Sequence, residues 1–365
     1  MKALWNKFTN WLKTDNHLLW VSIITLMVIG LISVYFVGAY DSTRLGFDSG
    51  FLFNRYWPYA LVGFLFMLGC SCLSKKSIIR ISWVLLILGL ALMLYTRIHP
   101  VIVRGAIRYA FVGGLAIPPL VIILPAYITL MSHWLSKDLK RPLWSMFGMV
   151  TLTAFITLIA FTSPYVFMLQ VYLLLFILLT FKARKNIPVL SKLYLFGIIG
   201  AVALCVFALL TMPHVQYRFA ETFYRYSPYS QGWFSVNAIK NSALIGNTPE
   251  SLRILATLPE SATDLMFAGI VAKFGILMGL LVLALYGFMV KGLTRIIRTT
   301  KDKFNNLLAT GTLGLLVFGV VVSVATALGI RIRPTGLPFV SFMTIPLLAW
   351  CVLFGFVLSV TKEEK

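Results

Sequence analysis

The stretch LPESATDLMF at 258–267 sets one carboxylate, Asp264, directly before DLMFAGIVAKFGILMGLLVLALYGFMV, a run long enough to cross a bilayer. A carboxylate at the brink of a membrane helix is costly to bury without partners, so such acids are functional or well paired. Two readings follow. In one, Thr263 or Asp264 caps the helix by accepting from its first free amides, and the negative charge offsets the dipole. In the other, Asp264 belongs to a reactive site. A second set of residues bears on this. Ten arginines, among them Arg104, Arg108, Arg218 and Arg333, fall in segments that hydropathy and charge assign to the non-cytoplasmic side, with a single lysine, Lys240. Arginine presents a planar fork that matches phosphate and carboxylate oxygens two at a time, whereas lysine acts as a point charge. The same side holds the acids Asp41, Asp48, Glu221, Glu250, Glu260 and Asp264, too few to neutralise those cations one to one. Lipid phosphates could take some of the remainder. The excess points to an anionic group handled there, with phosphate the natural candidate.

The elements that must position these residues are membrane helices. Of the 365 residues, 59 % are hydrophobic and 12 % charged, and the mean hydropathy is +0.90. That composition excludes an ordinary soluble domain. The fold class expected is an all-α integral membrane protein with about ten transmembrane helices. The spans fall near 17–40, 57–73, 78–96, 117–135, 143–161, 164–181, 190–212, 264–290, 305–330 and 338–361. The first is too long for a signal-peptide core and reads as a retained anchor. The fourth carries three prolines in IPPLVIILPAYITL, which predict kinks. One connection is long, the outer loop 213–263 before the eighth span. Residues 1–16 and 362–365 flank a single polytopic domain, 17–361. The remaining basic residues outside the spans are mostly lysine and lie on the opposite side, which puts both termini in the cytoplasm. Lys273 is the one charge placed inside a span. The cysteines (Cys70, Cys72, Cys205, Cys351) lie in apolar runs and read as small core hydrophobes. The four histidines are scattered, and no spacing forms a metal site.

From Pro213 the chain reads PHVQYRFAETFYRYSPYSQGWFSVNAIKNSALIG and then LPESATDLMFAGIVAKFG. This resembles the SEDS glycosyltransferases, the FtsW and RodA proteins, whose segments run close to PHVQxRIxxFLxP, YQxxxAxxAI and LPxAHTDFIFAxxxEExG. VRGAIRYAFVGGLAIPP is similar to the family's GAKRWI…QPSE stretch, and RPTGLPFVSF to its PTKGLTLPFISYGG stretch. The order is kept over nearly the whole chain, and the PHVQ and NAIKN stretches lean toward the division-type FtsW.

The departures are numerous. The family's histidine before T-D is Ala262 here, and its paired glutamates are Ala272 and Lys273. Ile107 and Tyr109 stand for the lysine and tryptophan of GAKRW, and Leu120 for the glutamate of QPSE. The acid of the sixth span's PDxGT is gone. Arg333 lies close enough to replace the TKG lysine as a cation. Such losses remove internal polar groups, which a core can absorb when both partners are replaced together.

The resemblance implies a peptidoglycan glycan-strand polymerase. It would use lipid II, the undecaprenyl-pyrophosphate-linked disaccharide-pentapeptide, on the outer face of the cytoplasmic (inner) membrane. Its partners would be a class B penicillin-binding transpeptidase, other division proteins and membrane lipids, with no nucleic acid. The family's catalytic aspartate matches Asp264, which would act as general base on the acceptor hydroxyl. Arg104, Arg108 and Arg218 would hold the departing pyrophosphate. Gln231 matches the YQ glutamine and would orient a sugar or pack the loop. Lys273 would lie about two and a half helical turns, roughly 13–14 Å, below Asp264, in a water-filled groove where it steers pyrophosphate. No metal site is assigned; a divalent cation such as Mg2+ bridging Asp264 and the pyrophosphate is an alternative role for the acid. Two other classes stay open: a catalytically degenerate scaffold of the division machinery, and a flippase for the lipid-linked precursor.

Overall fold

The computed structural model describes residues 17–103, 106–137, 142–162, 166–184, 190–211, 213, 216, 230–330 and 336–360. Each expected span has a helix in its place, and the chain is an all-α multi-pass membrane protein. Five helices are long and apolar enough to cross a membrane, at His17–Arg44, Lys75–Ile98, Pro119–Ser136, Ile276–Thr299 and Lys303–Ala327. The chain divides into two compact units, one of Met1–Leu65, Ala220–Arg295 and Leu316–Leu348, the other of Phe66–Phe219, Ile296–Leu315 and Ala349–Lys365.

The first unit begins with α1 (His17–Phe36) and α2 (Gly38–Arg44), so the first apolar run is two helices interrupted at Val37. Next comes α3 (Phe51–Cys70), whose residues up to Leu65 belong here.

The second unit is built on α4 (Lys75–Ile98), started by Ser74, whose hydroxyl accepts from Ser77 N–H. Val84, Ile87 and Leu94 on α4 are each 63 % exposed. In water such a surface would be a liability; in acyl chains it is the expected one. Two hairpins follow that no sequence pattern predicts: β1 (Ile102–Val103) with β2 (Ala106–Ile107), and β3 (Ala110–Val112) with β4 (Leu115–Ile117). The unit continues with α5 (Pro119–Ser136), α6 (Pro142–Thr162), α7 (Val166–Ala183) and α8 (Leu190–Thr211). Two of the three prolines expected to kink the fourth span instead start it. Pro118 is the N-cap and Pro119 opens the first turn, where a missing N–H costs nothing. Only Pro125 stands inside. Buried tyrosines join these helices: Tyr127 shares a 2.8 Å hydrogen bond with Thr153, and Tyr172 donates to the Leu120 carbonyl at 2.6 Å. Of the cysteines described, Cys351 is buried as expected, but Cys72 is exposed.

The stretch before the expected eighth span contributes two short helices to the first unit, α9 (Gln231–Lys240) and α10 (Pro249–Thr257). A capping box starts α10, with Thr248 and Ser251 each accepting from the other's backbone amide. The expected eighth span is not one helix. It is α11 (Met266–Phe274) and α12 (Ile276–Thr299), separated by Gly275 at φ 96°. A Cβ on Gly275 would stand 2.8 Å from the Leu244 carbonyl oxygen, so only glycine fits the break. The loop 243–246 occupies it: Ala243 and Leu244 carbonyls accept from Ile276 and Leu277, and Gly246 donates to the Phe274 carbonyl. The backbone groups freed by the break are thereby satisfied.

The chain ends in α13 (Lys303–Ala327) and α14 (Thr344–Val360), each shared between the units. Before α14, in the first unit, Phe339 stands at φ 67°. Its carbonyl accepts from the Tyr56 hydroxyl at 3.3 Å, and the Pro338 carbonyl accepts from the Tyr286 hydroxyl at 2.6 Å. Gly30 of α1 admits this segment, because a Cβ there would stand 2.5 Å from the Phe339 carbonyl oxygen.

Candidate active site

Asp264 lies in the loop that runs from Leu258, the C-cap of α10, to Leu265, the N-cap of α11. The turn is made by Glu260, held at φ 59°, whose carbonyl accepts from the amides of Thr263 at 3.2 Å and Leu265 at 3.0 Å. Non-glycine residues at positive φ carry backbone strain of about 1–3 kcal/mol and collect at functional sites. Among the described residues Glu260 and Phe339 are the two such cases. The loops that carry them meet, since Phe342 N–H donates to the Ala262 carbonyl at 2.8 Å. The LPESATD and LPFVSF stretches, some seventy residues apart in sequence, thus form one backbone-bonded layer.

Three further bonds fix the loop. Gln231 Nε2 donates to the Pro259 carbonyl at 3.3 Å. Asp41 Oδ2 of α2 accepts from Ala262 N–H at 2.7 Å. Arg44 donates through Nη1 to the Leu258 carbonyl and through Nη2 to Asp41 Oδ1. Asp264 and Thr263 themselves are half-buried, while Ala262 and Leu265 beside them are buried.

The helix-cap reading is corrected in its geometry. The N-cap of α11 is Leu265, which has no side-chain capping bond, and the Thr263 hydroxyl donates backward to the Glu260 carbonyl. Ala262, at the resemblance's histidine position, is fully buried and has no polar side chain, so the loop is held there through its own backbone N–H and carbonyl, bonded by Asp41 and Phe342. Ala272 is also fully buried, and its carbonyl accepts from Ser251 at 2.9 Å.

Lys273 requires a correction too. It is not inside a spanning helix but in the last turn of α11, one residue before the Phe274–Gly275 break. Its ammonium donates to the Tyr40 hydroxyl at 3.4 Å and lies over the rings of Tyr40 and Phe36, at 5.4 and 5.8 Å. The reason is the break itself: α11 ends at Phe274, so Lys273 lies in a nine-residue element packed beside Tyr40 rather than within one continuous span.

Arg108 is half-buried between the two hairpins of the second unit. Asp264, Gln231 and Lys273 belong to the first unit. Arg104, Arg218 and Arg333 lie outside the described residues. Sequence reasoning missed Asp41 and Arg44 as site residues, treating them as one more acid and one more outer cation. An acid and a base at i and i+3 where a span ends was the available signal.

The chain matches, over residues 16–365, the model of the FtsW, RodA and SpoVE family, described as cell cycle proteins. It is 34 % identical over 110 residues to the probable peptidoglycan glycosyltransferase FtsW of Lactococcus lactis, covering 30 % of this chain and 26 % of that protein. It is 25 % identical over 371 residues to the stage V sporulation protein E of Bacillus subtilis, covering 97 % of this chain and 99 % of the relative. The fold is similar, with a TM-score of 0.75 at 19 % identity, to a chain from a peptidoglycan synthase complex solved to explain how polymerization and crosslinking are coordinated. That match covers 97 % of this chain and 99 % of the other.

Proposed function

This chain belongs to the FtsW, RodA and SpoVE family of cell cycle proteins, and from that premise we propose that it is a peptidoglycan glycosyltransferase polymerising lipid II. The observation that carries the reading is the strained, side-chain-pinned loop that presents half-buried Asp264. Strain held against several fixed bonds is what preorganisation of a reacting group requires.

In the proposed reaction the acceptor's sugar hydroxyl oxygen attacks the anomeric carbon of the donor. The carbon–oxygen bond to undecaprenyl pyrophosphate breaks, and the leaving group takes the electron pair. The hydroxyl proton passes to Asp264 as general base. The pyrophosphate departs already charged, so it needs cations rather than an acid; Arg104, Arg108, Arg218 and Arg333 are assigned to that work, with Lys273 steering the anion. Among the described residues no three His, Cys, Asp or Glu gather as a metal site. One carboxylate and a pyrophosphate nevertheless suit Mg2+, which binds through one or two carboxylates plus substrate phosphates. If bound, that ion would be held by Asp264 and would neutralise leaving-group charge.

The reaction is assigned to the outer face of the inner membrane, both termini being cytoplasmic. A class B penicillin-binding transpeptidase is the partner that would crosslink the strands, within the division machinery.

The test is Asp264→Asn, which keeps the shape of the side chain but removes the proton acceptor. Polymerisation of labelled lipid II by the purified protein, with and without its transpeptidase, should fall about 10²-fold or more. Near-parental polymerisation by a folded Asp264→Asn protein would overturn the assignment.

A further inference from the structure

The proposed reaction leaves one buried acid unused. Asp41 is 3 % exposed, and both of its carboxylate oxygens are engaged, one by the Ala262 amide and the other by Arg44. The same guanidinium reaches the Leu258 carbonyl. Asp41 and Arg44 therefore grip the Asp264 loop at two points four residues apart, one carbonyl and one amide, from a helix more than two hundred residues away in sequence.

The loop needs such a grip. Glu260 holds a left-handed turn that the chain would otherwise relax, Ala262 has no polar side chain to fix its own backbone, and α11 starts without a side-chain cap. Asp264 follows Ala262 by two residues, so the position of its carboxylate is set by where the Ala262 peptide is held. The Ala262 N–H donates to a buried carboxyl group paired with a guanidinium, and such a charge-assisted bond is stronger than a neutral one and little screened by salt. The geometry points to Asp41, ion-paired with Arg44, as a positioning residue that fixes the loop bearing Asp264 in its reactive place. This rests on the reading of Asp264 as general base.

The experiment uses the full chain in nanodiscs. It compares kcat and KM for lipid II, per folded protein, together with hydrogen exchange of segment 258–264. Asp41→Ala should lower kcat about 10²-fold, the cost of roughly 1 Å of misplacement at a reacting group, with KM within about 3-fold of the parent. Exchange at Ala262 should rise about tenfold or more. Asp41→Asn keeps an oxygen that can accept from Ala262 N–H and should recover about a tenth to a third of parental kcat. A kcat within about 3-fold of the parent in Asp41→Ala, or unchanged exchange in the segment, overturns the proposal. Should Asp41→Ala not fold, Asp41→Asn and Arg44→Lys carry the test: kcat reduced about 3- to 10-fold at constant KM supports it, and parental kcat in both overturns it. Failure of the parent itself to polymerise would instead refute the reading of Asp264. Exchange at Ala262 in Asp41→Asn would then decide separately whether the pair holds the loop.

Discussion

In the first unit Asp41 and Arg44 pair with side chains 5 % and 30 % exposed; in the second, Lys75 and Asp302 pair at 2.5 Å with side chains 33 % and 35 % exposed. The partners of each pair differ as well. The Asp41 carboxylate and the Arg44 guanidinium both bond the backbone of a distant loop. Asp302 bonds its own helix start instead, accepting from Phe304 N–H at 2.7 Å, and the Lys75 ammonium sits over the Phe304 ring at 4.8 Å. One pair thus fixes tertiary geometry at the loop bearing Asp264, and the other trims the start of α13. The difference is burial: away from water a charge must be matched, and its removal is felt, while at a wet surface water replaces the lost partner.

Removing Arg44 is the strongest way to break this comparison. Arg44→Ala leaves the Asp41 carboxylate buried without its cation, and stability should fall by about 3 kcal/mol, the lower end of the range for a buried pair because Arg44 is partly exposed. Thermal unfolding in nanodiscs reads this, and a loss no larger than that of Asp302→Asn would erase the distinction drawn from burial.

Asp302→Asn should cost less than about 1 kcal/mol, and its effect should depend on pH. Burial pushes the Asp302 carboxyl up, but the Lys75 ammonium and the amides of Phe304 and Asn305 outweigh it and hold the group below its ordinary value. A carboxyl depressed in the folded state contributes stability above its unfolded pKa, about 3.9. That contribution is lost as pH falls through the folded value. The gap in unfolding temperature between parent and Asp302→Asn, measured from about pH 6 to about pH 3, should therefore narrow toward the acid end. A constant gap across that range would mean Asp302 acts through shape rather than charge.

Much of the fold was legible because hydropathy is a local property. Runs of some twenty apolar residues must be helical in a bilayer, since no other isolated segment satisfies its own backbone there. Asp264 was legible as a site candidate for the same reason: a charge at the end of such a run needs an explanation. What escaped were the features that depend on a second segment. Nothing in DLMFAGIVAKFGILMGLLV marks Gly275 as a break, because its cost is met by the 243–246 backbone. Lys273 was accordingly read as part of one continuous span. The hairpins of 102–117 were missed because strands of two and three residues leave no periodicity to read.

The sequence by itself determined the solvent of this protein and its helical class, and singled out Asp264 as the candidate acid, because each follows from residue type and local spacing. Only the tertiary structure decided how that acid is held. Asp41 and Arg44, Gln231, and Phe342 come from three separate stretches of chain, and a hydrogen bond between distant segments exists only once folding has brought donor and acceptor to within about 3 Å.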